Sequence, residues 1–246
     1  MVPSAPAATL RFHDVVKTYG TRTVVDRVSL AVGAGEIVAL VGVNGSGKST
    51  LFRIASGFVR ATSGSVAIET PGKCFSLLDR PASDRVGLGL CSIAQERLRM
   101  HALSTLDCLR IARSAGTGSA HDADIFEALA SLGLSHLLEK RPSAMTQPDA
   151  VRLLLAQAYV VDPRFLIIDE PFAGLDGREV AECTAIVRAL RVRGTGILIT
   201  DHHPAAILAA ADRVHIIQDG AILYSDTVEA ARTSVDAALL YFRKRA

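Results

Sequence analysis

The sequence predicts an α/β fold: a mostly parallel sheet wrapped by helices, an antiparallel β subdomain beside it, and a helical subdomain inserted into it. Three observations carry this. Short runs rich in Val, Ile and Leu recur at 36–41, 165–169, 196–200 and 214–218, and unbroken apolar runs of that length suit parallel strands buried on both faces. Between them lie helical stretches opened by cap residues and closed by Gly or Pro, such as 49–59 and 176–193. From about 98 to 159 the pattern is helical alone.

Taken in chain order, residues 9–35 read as short strands around 10–12 and 28–32, the first part of the antiparallel patch. Residues 70–84, with two prolines and mixed charges, read as a loop. In the helical stretch, Leu103-Ser-Thr-Leu-Asp-Cys-Leu opens one helix, 123–132 makes a second that stops at Gly133, and 149–160 a third. Asp219-Gly220 is a favoured hairpin dipeptide and joins two late strands. The expected organisation is a core formed by 1–97 and 160–246, with 98–159 inserted. No internal repeat is visible.

Composition narrows the function classes. The chain has 246 residues, 49% hydrophobic and 21% charged, which is ample for a packed core and too apolar for disorder. Its 27 Lys and Arg against 25 Asp and Glu leave a net charge of +2, no electrostatic footprint for nucleic acid. No apolar run approaches the roughly 18 to 20 residues that span a bilayer. The nearest, 151–161, is interrupted by Arg152. The first ten residues hold neither a basic residue nor an apolar h-region, so they do not read as a secretory signal and a cytoplasmic location is expected. Cys74, Cys91, Cys108 and Cys183 lie far apart, with no C-x-x-C spacing, and read as packing residues.

One segment carries specific chemistry. Gly42-Val43-Asn44-Gly45-Ser46-Gly47-Lys48-Ser49-Thr50 fits G-x-x-x-x-G-K-[ST], preceded by an apolar strand and followed by a helix. Glycines let the backbone curl so that successive N–H groups point inward, and the helix N-terminus adds positive potential. Lys48 is placed to reach the β- and γ-phosphates and the Ser49 hydroxyl to ligate Mg²⁺. A second strand, 165–169, ends in Asp169-Glu170 and delivers two carboxylates to the strand edge where open α/β sheets bind ligands. Asp169 is suited to hold Mg²⁺ through water and Glu170 to orient or deprotonate an attacking water. Asn occurs only at position 44, so the N-K-x-D guanine-reading motif is absent and a Ras-like switch is excluded.

With these motifs in order, the chain resembles the ATP-binding cassette family from Tyr19 to about Ser225. The resemblance implies ATP and Mg²⁺ as cofactors. Tyr19, in Lys17-Thr-Tyr-Gly, matches the aromatic that stacks on adenine, a contact worth about 1 to 3 kcal/mol. Gln95, in Ser92-Ile-Ala-Gln, matches the glutamine that touches Mg²⁺ and water and senses the membrane partner, although Ala94 stands where the family usually has proline. Gly174-Leu175-Asp176 matches the loop that crosses the dimer. His202 matches the switch histidine that bonds the γ-phosphate, while its neighbour His203 reads as a solvated or capping residue. The ending after the last strand is similar to compact cassettes of branched-chain amino acid uptake and lipopolysaccharide export.

The larger departure from the family pattern lies elsewhere. Family members carry Leu-Ser-Gly-Gly-Gln at the start of a helix that covers the opposite subunit's γ-phosphate; this chain has Met145-Thr146-Gln147-Pro148-Asp149. Both glycines are gone, so close backbone approach is lost, and Pro148 has no N–H to donate. Thr146-x-x-Asp149 also reads as a capping box that places a carboxylate where phosphate should dock. At an effective dielectric near 20, such a charge 4 to 6 Å away would repel each unit of phosphate charge by about 3 to 4 kcal/mol.

The resemblance therefore implies an ATP-hydrolysing subunit at the inner face of a membrane, working with a permease and a second cassette. A heterodimer is favoured because the other subunit would supply an intact signature. The alternative is a nucleotide-dependent regulatory or non-transport cassette protein with little turnover of its own. Basic residues in the last six positions suit a frayed helix end.

Overall fold

The first hairpin sets the antiparallel layer. Thr9–Tyr19 (β1) and Arg22–Gly33 (β2) pair along their whole length, and β1 buries Leu10, Phe12 and Val15. These strands are much longer than their alternation predicts. The register shifts between Phe12 and Val15 and again before Thr18, and Asp14 and Arg27 take left-handed φ of 45° and 46°. Such bulges break the period of two on which a sequence reading depends. The computed structural model describes residues 8–93, 103–116, 121–201 and 204–234.

The parallel sheet begins with Ile37–Val41 (β3), which runs through the phosphate-loop segment into Lys48–Ser56 (α1). Ser63–Thr70 (β4) returns to pair with β1, and Lys73–Ser76 (β5) pairs with β4, giving an antiparallel sheet of order β2-β1-β4-β5. The loop expected at 70–84 is thus partly structured. Thr70 and Lys73 close a tight turn with Pro71 at its first corner and Gly72 at φ 75°, the demands of a type II turn. Pro81 then precedes the short helix Ala82–Gly87 (α2). Both prolines punctuate element ends, and a strand of four residues and a helix of six are too short to show a period.

Leu90–Ile93 (β6) leads toward three helices, Thr105–Ala115 (α3), Asp122–Ser131 (α4) and Gln147–Val161 (α5), with 3₁₀ turns at Ser135–Glu139 and Pro142–Ala144. The chain re-enters the sheet at Phe165–Asp169 (β7), followed by Gly177–Val192 (α6), Gly196–Thr200 (β8), Pro204–Ala210 (α7), Arg213–Gln218 (β9), Ala221–Thr227 (β10) and Val228–Thr233 (α8). The six-stranded order is β10-β9-β3-β8-β7-β6, parallel except for β10. Asp219 and Gly220 both take left-handed φ, 49° and 85°, and make the β9–β10 hairpin that the dipeptide predicts.

The strands are apolar throughout because each side of the sheet is covered. Ile37, Ala39 and Val41 face the core shared with α5 and α6; Val38 and Leu40 face α1 and the antiparallel sheet. β7 divides likewise, with Leu166 and Ile168 on one face and Phe165 and Ile167 on the other. Each such Val, Leu, Ile or Phe side chain, fully buried, contributes about 1.5 to 3 kcal/mol and fixes the strand ends that follow. His215 on β9, opposite Leu40, is buried among them, and neither ring nitrogen is hydrogen-bonded among the described residues. Burial, with the charge of Arg213, pushes its pKa down to about 4, so it packs as a neutral ring.

Cys108 and Cys183 are packing residues as expected, and burial pushes the Cys91 thiol up to about 11. Cys74 is exposed on the edge strand β5, against the packing expectation. Among the described residues no helix is long and apolar enough to cross a membrane.

Candidate functional site

Strand order assembles the site. β8 lies between β3 and β7, with Ala39 level with Ile199 and Asp169 level with Thr200. The segments leaving β3, β8 and β7 therefore emerge at one edge, within about 10 Å, two strand spacings. They are the phosphate loop, Thr200-Asp201 and Asp169-Glu170.

At that edge α1 starts bare. Its N-cap is Gly47, with no side-chain cap and no acidic residue in the first turn, so the first amides are left for an external anion. Lys48 is buried, and its Nζ donates to the carbonyls of Gly42 at 2.8 Å and Val43 at 3.0 Å, inside the curl of the loop. Burial lowers its pKa, and the nearby charges of Glu170 and Asp169 oppose that shift. Asn44, Gly45 and Gly47 line a cavity of about 310 Å³ with Lys48, Ser49 and Thr50; Glu170 and Val24 close its sides.

The carboxylates sit on a constrained loop. Asp169 and Glu170 are both buried, and Glu170 has a left-handed φ of 51° with its N–H donated to the Thr200 carbonyl at 2.9 Å. Two residues on, Phe172 N–H donates to Asp201 Oδ2 at 2.6 Å. A non-glycine residue in this region costs about 1 to 3 kcal/mol and persists only where its surroundings over-determine it. The donor set fits a nucleotide polyphosphate: amides and an ammonium on one side, carboxylates and a hydroxyl on the other. Among the described residues no three His, Cys, Asp or Glu cluster as a metal cage. Ser49 and Asp169 suit Mg²⁺ that arrives with phosphate oxygens and keeps several waters.

The other predicted residues divide. Gln95, His202 and His203 lie outside the described residues, as do Ala94 and the basic ending. Tyr19 ends β1, 49% exposed, with Lys17 Nζ 4.6 Å from its ring centroid, a cation on one face of the ring. It is Val24 on β2 that lines the loop cavity. Asp176 caps α6 in a complete capping box: its carboxylate accepts from Glu179 N–H at 2.8 Å, and Glu179 accepts from Asp176 N–H at 2.9 Å. It lines a different cavity, of about 520 Å³, with His136, Arg152 and Arg178.

The segment 145–149 is closed upon itself. Thr146 is the N-cap of α5 and accepts from Asp149 N–H at 3.4 Å, with Pro148 in the first turn. Only half of the expected capping box forms. Asp149 is 4% exposed, and its carboxylate is bound by Lys140 and by Arg152 at 3.2 Å, with His136 at 3.8 Å. Burial pushes its pKa up, but the bonds from Lys140 and Thr146 and the charges of Lys140 and Arg152 outweigh that and hold the carboxyl below its ordinary range. The repulsion expected from an uncompensated Asp149 is therefore corrected, because two cations neutralise it in place.

Sequence reasoning missed several supports. Gly220 N–H donates to the Ser46 carbonyl at 3.1 Å and its own carbonyl accepts from Asp26 at 2.9 Å, so the β9–β10 turn braces the phosphate loop. Arg85 on α2, 3% exposed, donates to the Ile54 carbonyl at 2.8 Å and to that of Ala55, a buried cation at the C-terminus of α1. The Asp219-Gly220 dipeptide signals a turn but not what it touches, and nothing in the sequence separates Arg85 from Arg80.

Residues 25–173 match the family described as ABC transporter. An ABC transporter ATP-binding protein of Rhizobium meliloti (strain 1021) is 33% identical over 97% of this chain and 92% of its own length. The lipopolysaccharide export system ATP-binding protein LptB of Haemophilus influenzae is 33% identical over 89% of this chain and 91% of its own. The crystal structure of a nucleotide-free ATP-binding cassette from an ABC transporter shares the fold with a TM-score of 0.83, covering 96% of this chain and 99% of that one at 22% identity. Since the match runs from within β2 through the phosphate loop and past the two carboxylates, the chain belongs to the ABC transporter family as an ATP-binding subunit.

Proposed function

We propose that this subunit binds Mg-ATP at 42–50, hydrolyses it, and passes the resulting motion to a membrane permease at the cytoplasmic face, as one of two paired cassettes. The observation that carries the reading is that Glu170 closes the same cavity as Lys48, Ser49 and Thr50. The loop amides and the bare start of α1 take the phosphates, and Lys48 exchanges the carbonyls of Gly42 and Val43 for phosphate oxygens. Tyr19 stacks on adenine. Ser49, Asp169 and Gln95 would hold Mg²⁺, which would neutralise phosphate charge when bound. Glu170 takes the proton of the attacking water, His202 keeps that water in line, and Asp176 acts across the cassette pair. Residues 1–97 and 160–246 form the core in this reading, 98–159 the inserted lobe, and no nucleic acid is involved.

A heterodimer is the favoured assembly. Pro148 offers no N–H and Gln147 brings a side chain where glycine would allow phosphate to approach. A second cassette would then supply an intact signature to this phosphate loop. The test is Glu170→Gln, which keeps the shape of the side chain and removes its basicity. Mg-ATP affinity by calorimetry should stay within about threefold of wild type while turnover falls at least about a hundredfold. Wild type should turn over slowly alone and faster with an intact second cassette; unchanged turnover in Glu170→Gln removes Glu170 as the base.

A further inference from the structure

Gln147, the first residue of α5, makes a bond between parts of the chain that lie 26 residues apart: its Nε2 donates to the carbonyl of Ala173. The seat for that side chain is Gly174. A Cβ added there would lie 2.7 Å from Gln147 Nε2, and Gly174 has φ 76°, so both the space and the backbone are those of glycine. Pro148 follows directly in the first turn of α5. Further along α5, Arg152 binds Glu182 on α6, a second tie between α5 and the α6 region.

The carbonyl that Gln147 grips belongs to the loop that leaves Glu170. That loop has two anchors from the end of β8: Glu170 N–H to the Thr200 carbonyl, and Phe172 N–H to Asp201. Both lie on its N-terminal half. Among the described residues Ala173 is held from the helical side, by Gln147, before the chain turns at Leu175 N–H to the Phe172 carbonyl, 3.1 Å, and enters the α6 capping box. A left-handed Glu170 needs its loop fixed at both ends to stay left-handed.

We propose that Gln147 is a positioning residue for Glu170: by holding the Ala173 carbonyl it locks the loop 171–176 and couples the attitude of the inserted helices to the carboxylate over the phosphate loop. This rests on the reading of Glu170 as the base. Gln147→Met keeps the side chain's length without a donor, and Gln147→Lys restores a donor at the same reach. In the presence of Mg-ATP, amide deuterium uptake of a peptide spanning 171–176 should rise at least about threefold in Gln147→Met and remain at wild type in Gln147→Lys. Turnover at saturating Mg-ATP should fall about tenfold in Gln147→Met with KM within about twofold, and recover in Gln147→Lys. Unchanged uptake in Gln147→Met, or equal losses in both variants, overturns the proposal. Uptake decides the matter whether or not the chain turns over alone. A wild-type chain that gives no heat with Mg-ATP would instead overturn the nucleotide reading.

Discussion

Two helices of this chain begin with the same physics and opposite fates. α1 and α5 each present amides and the positive end of a peptide dipole at their first turn. At α1 the N-cap is Gly47 and the first turn has no acidic residue, so these donors face the cavity that Lys48 and Glu170 share. At α5 Thr146 caps the turn, Pro148 removes a donor, and the carboxylate of Asp149 is bound by Lys140 and Arg152. The macrodipole thus does not by itself make an anion site. A helix start accepts an outside phosphate when its own sequence declines to satisfy it, and glycine is the residue that declines.

Breaking the bare terminus should have the largest effect. Gly47 has φ 104°, and a Cβ there would lie 2.5 Å from the Val24 carbonyl. Gly47→Ala combines a strained φ with a backbone clash and must displace the loop from β2. We expect Mg-ATP affinity to fall about a hundredfold, about 3 kcal/mol, by calorimetry. An affinity within twofold of wild type would show that the loop curls without needing this glycine.

Opening the closed terminus should cost stability rather than nucleotide affinity. Asp149→Asn leaves Lys140 without its partner, while Arg152 keeps Glu182 and Lys140 reaches water, so the loss should be about 2 kcal/mol, below that of a fully buried pair. The pH dependence has a definite sign. The folded carboxyl titrates below its unfolded value of about 3.9, so its stabilisation is fully present above that value and is lost as pH falls through the folded pKa. The difference in urea unfolding free energy between wild type and Asp149→Asn should be constant from pH 7 to 5 and shrink below pH 4. A difference that persists undiminished at pH 2 would assign the effect to packing.

The same contrast separates what was legible in the sequence from what was not. The bare terminus is local: glycines, lysine and hydroxyl follow one another from 42 to 50, and the flanking strand and helix announce themselves by apolar runs. The α/β class, the three helices between β6 and β7 and the Asp219-Gly220 hairpin were legible for the same reason. The closed terminus depends on groups brought together from different elements. Lys140 precedes a 3₁₀ turn and Glu182 lies on α6, so Asp149 read alone looks like an exposed charge facing phosphate. Gln147 could be recognised as a departure from glycine, but its grip on Ala173 depends on the fold. In β1 and β2 the bulges at Asp14 and Arg27 hid the length of the strands, and short β5 and α2 fell below any period. Gln95 and His202 rest on the resemblance alone.

The smallest effect sharpens the comparison most finely, because it isolates the cap from the charge. Thr146 accepts from Asp149 N–H at 3.4 Å, a long bond on an exposed residue, whereas Asp176 on α6 makes both halves of its capping box at 2.8 and 2.9 Å. Thr146→Ala should therefore cost only about 0.5 kcal/mol and Asp176→Ala about 1 to 2 kcal/mol, read as shifts in urea midpoint at unchanged m. If Thr146→Ala proved as costly as Asp176→Ala, the cap would be holding more than one amide. The closure of α5 would then be due to its hydroxyl as much as to the Lys140 and Arg152 pairs around Asp149. If it cost nothing, those pairs alone keep the start of α5 shut, and a threonine at that position is compatible with an open helix start once the carboxylate behind it is removed.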